Sequence, residues 1–262
     1  MSKGIVRVSV GGGIAAIVFD RPDARNAMTW VMYGQLADIC KRLQTEPGVR
    51  VATFRGAGGS AFVAGTDIEQ FRAFGSGEKG GTDGLAYERK IDEGIGLIES
   101  LPMPTVAVIE GWAIGGGLAI ATACDFRIAT PTSRFGVPIA KTLGNCLSIA
   151  NLSRLCAAWG TARVKRMLLL ADIIPADEAL VAGYVLQLSP PDEIDSVLAD
   201  LCERLAKLAP VTQRAAKEGL RRLVNHSLPA DDDLIRLCYG SEDFRAGVHA
   251  FVGKTLPDWQ GH

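Results

Sequence analysis

Thr105-Val106-Ala107-Val108-Ile109-Glu110-Gly111-Trp112-Ala113-Ile114-Gly115-Gly116-Gly117-Leu118 is the stretch on which the fold turns. The continuous apolar run after Pro104 reads as a buried strand. A glycine run follows it, and the apolar residues that continue to Cys124 read as a helix. A strand that passes into a helix through glycine leaves backbone N–H groups unpaired at the helix N-terminus, where the dipole also favours negative charge. The glycines have a plainer reading too, as small residues that let a helix pack tightly on a strand.

A similar junction precedes this one. Val49 to Phe54 reads as a buried strand, and Ala61-Phe62-Val63-Ala64-Gly65-Thr66-Asp67-Ile68-Glu69 comes after it. If both junctions lie at one edge of a sheet, two N–H groups can converge on a single carbonyl oxygen and stabilise it as an oxyanion. Thr66 and Glu69 also have the spacing of a capping box, in which case Thr66 and Asp67 only start a helix.

Further out, Ile5 to Val10 and Ile14 to Asp20 read as strands of a hairpin turned by Gly11-Gly12-Gly13. The chain leaves those glycines as a strand rather than a helix, which excludes a dinucleotide fingerprint. Val31, Leu36, Ile39 and Leu43 have helical spacing, as do Tyr87, Ile91, Ile95, Ile98 and Leu101, and Asp125 to Ala129 reads as a further strand. A ββα theme therefore repeats at least twice. Gly75 to Gly84 carries five glycines in ten residues and is expected to be a mobile loop. Beyond Pro175 the apolar spacing is helical, so residues 1–190 are read as a core domain and 191–262 as a helical C-terminal region.

The 262 residues are 48% hydrophobic and 22% charged, a composition for one large folded domain and too apolar for a disordered chain. A net charge of −1 sets up no field for nucleic acid or an anionic membrane. The charge-free stretch Gly111 to Cys124 is shorter than the roughly 20 apolar residues of a spanning helix. Six cysteines without a CxxC or histidine pairing argue for reduced thiols and no metal. The Met1-Ser2-Lys3-Gly4 start shows no secretory leader, so the expected location is cytoplasmic.

The chain resembles the crotonase (enoyl-CoA hydratase/isomerase) superfamily through Arg21-Pro22-Asp23-Ala24-Arg25-Asn26-Ala27-Met28, through both glycine junctions, and through Cys124-Asp125-Phe126-Arg127-Ile128-Ala129 and Arg134-Phe135-Gly136. The match continues in Ala176-Asp177-Glu178-Ala179-Leu180-Val181-Ala182-Gly183 and in Asp243 to Phe251 with Lys254, so it spans nearly the whole chain in family order. The resemblance implies an α/β fold: a spiral of ββα units with a helical C-terminal trimerisation region, assembled as trimers or dimers of trimers. It also implies a coenzyme A thioester as substrate, with no separate cofactor. By position, the backbone N–H groups of Thr66 and Gly116 would form the oxyanion hole, with Gly115, Asp67 and Ile68 beside them. Ala64 would border the adenine, Arg25 would lie near the phosphates, and Phe251 and Lys254 would reach a coenzyme A in a neighbouring subunit. Without the resemblance, Arg25 and Lys254 read as solvated charges and Phe251 as helix packing.

Where hydratases of this family carry two glutamates, this chain has Ala119 and Ile139. Neither side chain moves a proton, and hydration needs one group to activate water and one to protonate carbon. The segment Ile139 to Asn151 contains no acidic residue at all, which also disfavours a simple isomerase. Asn145, Cys146, Ser148 and Asn151 in that segment could line an acyl pocket, with Cys146 either a nucleophile or a structural thiol. The reading is thus an acyl-CoA enzyme, nominally an enoyl-CoA hydratase, that lacks the usual acid and base. Its alternatives are an isomerase, decarboxylase or thioesterase of the same fold, or a silent acyl-CoA-binding protein. A serine hydrolase would need a histidine near a glycine junction, and His226, His249 and His262 all lie far along the chain.

Overall fold

β1 (Ile5–Gly11) and β2 (Ile14–Asp20) form the expected antiparallel hairpin, with Gly12 and Gly13 at positive φ in its turn. The computed structural model describes residues 4–261. Met1 to Lys3, which carry most of the leader reading, and His262 lie outside the described residues. α1 (Trp30–Leu43) is next, capped by Thr29, whose hydroxyl accepts from the Met32 N–H.

Three turns of a ββα spiral succeed it. The first is β3 (Val51–Gly56), β4 (Ala61–Ala64) and α2 (Gly77–Glu99). The second is β5 (Thr105–Ile109), β6 (Trp112–Ile114) and α3 (Gly116–Ala123). The third is β7 (Phe126–Ala129), β8 (Arg134–Gly136) and the short α4 (Ile139–Thr142). Each turn gives one strand to each of two sheets and lays it parallel to the strand of the turn before. Then come α5 (Ile149–Trp159), α6 (Thr161–Leu169), β9 (Ile173–Pro175), α7 (Ala176–Val181) and β10 (Gln187–Leu188). The last part is helical: α8 (Ile194–Ala206), α9 (Pro210–Val224), α10 (Asp232–Tyr239) and α11 (Glu242–Gly253). Among the described residues the sheet orders are β1-β2-β3-β5-β7-β10 and β4-β6-β8-β9.

Strand alternation explains why the larger sheet is covered on both faces. Ala52, Phe54, Ala107 and Ile109 join the main core, where Phe19 meets Phe62 edge-on with ring centroids 5.5 Å apart. Val51, Val106, Val108 and Ile128 face the other way, against Ile194, Cys202 and Leu205 of α8. Among the described residues, no helix is long and apolar enough to cross a membrane.

The glycine-rich segment Gly75 to Gly84 is a correction to the sequence reading: instead of a mobile loop, most of it is the first two turns of α2. Gly80, Gly81 and Gly84 face α10. A Cβ on Gly84 would stand 2.3 Å from the Tyr239 ring, and one on Gly80 would stand 2.6 Å from the Tyr239 carbonyl oxygen. Missing side chains cost the helix up to ~1 kcal/mol per glycine in propensity. Here the same absence lets a second helix approach to backbone contact, and that packing holds the segment helical.

Candidate active site

The Arg21–Met28 motif braces the strand end that carries Thr66. Asn26 is fully buried, and its side-chain amide donates to the carbonyls of Ala57 (2.9 Å) and Ala61 (2.8 Å) while accepting from the Arg21 N–H (2.9 Å). The buried Arg21 guanidinium pairs with Asp67 at 2.8 Å. Beyond β4, the Met28 N–H donates to the Gly65 carbonyl and the Asp67 N–H to the Met28 carbonyl. In an extended chain that pattern turns the intervening Thr66 N–H to the opposite side.

The capping box drawn from the sequence does not form. Asp67 rather than Thr66 caps the short 3-10 turn Ile68–Ala73, accepting from the Glu69 N–H. The Thr66 hydroxyl instead sits between the hydroxyls of Tyr33 (2.9 Å) and Tyr87 (3.0 Å). Burial pushes the Tyr33 hydroxyl up to about 12 and holds that of Tyr87 well above the ordinary phenol value, so both stay neutral. Neither tyrosine carries a sequence signal of a site residue; the threonine between them reveals their part.

Gly116 is the first residue of α3, and Gly115 before it has φ 54 and ψ −120, which favours glycine. Gly117 packs so closely on β4 that a Cβ there would stand 1.9 Å from the Val63 carbonyl oxygen. The tight-packing reading of the glycine triplet therefore holds alongside the open helix N-terminus. A Cβ built on Gly116 would lie 4.0 Å from the Thr66 nitrogen, so the two residues stand side by side. Among the described residues neither donates to a backbone carbonyl outside its own element.

Both residues line a cavity of about 430 Å³. Thr66, Gly115, Gly116, Ala64, Ile68 and Arg25 line one part of it, and Ile139, Asn145 and Phe251 line another. Ala119 and Ile139 both stand in its wall. Phe251 lines this cavity in its own chain, where α11 packs on the Ile68–Ala73 turn and α4. Asp67, Cys146 and Lys254 are not brought to the cavity wall. Asp67 is held by Arg21, and Lys254 is the exposed cap of α11. The Cys146 thiol points to the Leu234 carbonyl at 3.7 Å, and hydrogen bonding with Cys238 together with burial pushes it well above the ordinary thiol range. It is not a poised thiolate. His226 and His249 are exposed and line no part of the cavity.

One acidic side chain, unanticipated from the sequence, does reach the wall. Glu88 of α2 is 2% exposed and lines the cavity. It accepts from the Tyr239 hydroxyl at 2.6 Å and from the Ser148 N–H at 3.2 Å. Burial, with a smaller push from Asp92, raises its carboxyl to about 8 even though both hydrogen bonds act the other way. Asn145 donates to the same Tyr239 hydroxyl at 3.2 Å, and its buried Oδ1 has no partner among the described residues. Glu88 could not be found by position, because it belongs to the segment next to the glycines and Tyr239 lies 151 residues away.

Thr66 and Gly116, carried by successive turns of a ββα spiral, thus come together on the wall of an otherwise largely apolar cavity of an α/β protein. The profile of the family described as enoyl-CoA hydratase/isomerase matches residues 9–262, and the chain belongs to that family, within the crotonase superfamily. It is 30% identical over 248 residues to a crotonyl-CoA hydratase of Syntrophomonas wolfei, covering 92% of each chain. It is 29% identical over 264 residues to an (E)-benzylidenesuccinyl-CoA hydratase of Thauera aromatica, covering 98% of this chain and 99% of the relative. A solved structure of methylmalonyl-CoA decarboxylase in complex with 2-nitronate-propionyl-CoA superposes with a TM-score of 0.88 at 28% identity, covering 98% of this chain and 99% of that one.

Proposed function

We propose that the chain is an acyl-CoA enzyme that holds the thioester oxygen between the N–H groups of Thr66 and Gly116 and stabilises it as an enolate. The observation that supports this reading is that Thr66 and Gly116 stand side by side in the cavity wall, a Cβ on Gly116 lying 4.0 Å from the Thr66 nitrogen. The exposed Arg25 would meet the phosphates of coenzyme A and Ala64 its adenine. Ile68, Ile139 and Asn145 would surround the acyl group, and Phe251 would close over it. Coenzyme A enters as part of the substrate, and the chemistry needs no further cofactor.

Two-glutamate hydration does not suit this wall, because Ala119 and Ile139 occupy the relevant positions. A decarboxylase reading is favoured by the likeness to methylmalonyl-CoA decarboxylase. In that reaction the bond from the α-carbon to a carboxylate breaks, carbon dioxide leaves, and the electron pair becomes the enolate. No base is required for that step, and only a proton donor is required afterwards. Exposed Leu169, Leu170, Val181, Leu220 and Leu223 support assembly with further copies, as trimers or dimers of trimers.

The test is mass spectrometry of a panel of saturated, unsaturated and α-carboxylated acyl-CoA thioesters incubated with the protein in heavy water. Deuterium at the α-carbon, net addition of heavy water or loss of carbon dioxide each supports the enolate reading and names the reaction. Binding without any mass change refutes it in favour of a silent acyl-CoA-binding protein.

A further inference from the structure

We propose that Glu88 is the residue that moves the proton at the α-carbon of the bound acyl group, from a helix different from those that carry Ala119 and Ile139. This rests on the enolate reading above. Among the described residues lining the cavity, Glu88 is the only carboxyl group. It shares that cavity with Thr66, Gly116, Ala119 and Ile139, so a molecule filling the cavity would meet both the carboxyl group and those two residues that hold the thioester oxygen, Thr66 and Gly116.

The step balances without another reactant. In one direction a Glu88 oxygen takes the α-proton, the C–H electron pair becomes the carbon–carbon double bond of the enolate, and the carbonyl π pair moves onto the thioester oxygen. The Thr66 and Gly116 N–H groups hold that oxygen. In the other direction the Glu88 O–H gives its proton to the α-carbon, the thioester reforms, and the carboxylate remains. After a decarboxylation only this second direction operates, and a carboxyl group that is mostly protonated at neutral pH is the form it needs.

The environment of Glu88 sets its protonation from several sides. From α10, the Tyr239 hydroxyl donates to Oε1, and Asp231 just before that helix adds negative charge. From α2 itself, Asp92 adds negative charge and is partly neutralised by Arg154 of α5 at 3.1 Å. From the loop before α5, the Ser148 N–H donates to Oε2, and the Cys146 thiol lies near enough to feel the charge. Tyr33 and Tyr87, both hydrogen-bonded to the Thr66 hydroxyl, also feel it. Lys141 and Arg25 are the cations of the cavity wall. Tyr239 is a positioning residue: its hydroxyl favours the Glu88 carboxylate, and the glycine face of α2 admits it.

The experiment tracks α-proton exchange of propionyl-CoA and butyryl-CoA in heavy water with the full chain, between pH 5 and 9.5. The wild type is expected to exchange at a rate that climbs with pH and levels off near 8. Glu88→Gln is expected to be slower by about 100-fold or more, with thioester affinity held within a few-fold, and Glu88→Asp is expected to restore part of the rate. Tyr239→Phe removes a bond that favours the carboxylate, so the inflection should move to higher pH. Exchange by Glu88→Gln at the wild-type rate overturns the role of Glu88 and leaves the enolate reading standing. A wild type that binds the panel but neither exchanges nor turns over any thioester overturns both. Should the Gln variant fail to fold, the wild-type profile decides: a rate level across the range, or an inflection near the ordinary carboxyl value, overturns the proposal.

Discussion

Replacing Gly116 isolates one donor of the proposed oxyanion site, because two substitutions there differ in whether the backbone N–H survives. Gly116→Ala keeps the N–H and adds a Cβ 2.7 Å from the Tyr33 hydroxyl and 3.3 Å from the Thr66 hydroxyl, so Tyr33 must shift. Gly116→Pro adds the same Cβ and removes the N–H. As the first residue of α3, position 116 needs no N–H for the helix and suits the φ of proline. The difference between the two variants is therefore chiefly the donor itself, worth about 10²- to 10³-fold in rate, or about 3–4 kcal/mol. The assay is turnover of whichever thioester the heavy-water panel identifies, with thioester affinity by calorimetry and helix content by circular dichroism as controls. A folded Pro variant that binds thioester and turns it over within a few-fold of the Ala variant would refute the assignment of Gly116.

The remaining predictions concern the proton-transfer groups and the buried charges. Ala119→Glu combined with Ile139→Glu puts two carboxyl groups on the wall of the cavity that the amides face, and hydration of crotonyl-CoA should rise by about 100-fold or more; no gain would mean that the Lys141–Asn151 segment has reshaped the pocket. Glu88, raised to about 8 by burial, contributes stability fully present below its unfolded value near 4.5 and lost as pH climbs through 8, by about 5 kcal/mol in all. Melting temperature should accordingly fall over that window in the wild type and change less in Glu88→Gln, and parallel curves would contradict the burial argument. Arg154 is buried between Glu99 (2.9 Å) and Asp92 (3.1 Å), so Arg154→Met leaves two carboxylates without their shared cation and should cost about 3–5 kcal/mol in urea unfolding.

Most of the fold is legible in short stretches of sequence. The hairpin at Gly11-Gly12-Gly13, the helix Trp30–Leu43 and the strand Thr105–Ile109 appear at or within a few residues of where apolar spacing and glycine placed them. The Gly75–Gly84 segment fails for a physical reason. Glycine lowers helix propensity locally, and the compensation comes from Tyr239 and Arg236 on a helix roughly 150 residues away. Asp67 illustrates the same limit at smaller scale, since a capping-box spacing says nothing about the buried guanidinium of Arg21 that pairs with its carboxylate.

Residue order alone carries the repeated ββα theme, the two glycine junctions, and an alanine and an isoleucine rather than carboxyl groups at positions 119 and 139. Those features are set by local periodicity and by residue identity, which act over a few neighbouring residues. Only the tertiary structure decided that Thr66 is braced by Tyr33 and Tyr87, that Cys146 turns away from the cavity, and that Phe251 reaches its wall within the same chain. It alone placed Glu88 in the cavity wall under the Tyr239 hydroxyl, because a carboxyl group is perturbed by whatever surrounds it in space, and here those groups come from α2, α10 and the loop before α5.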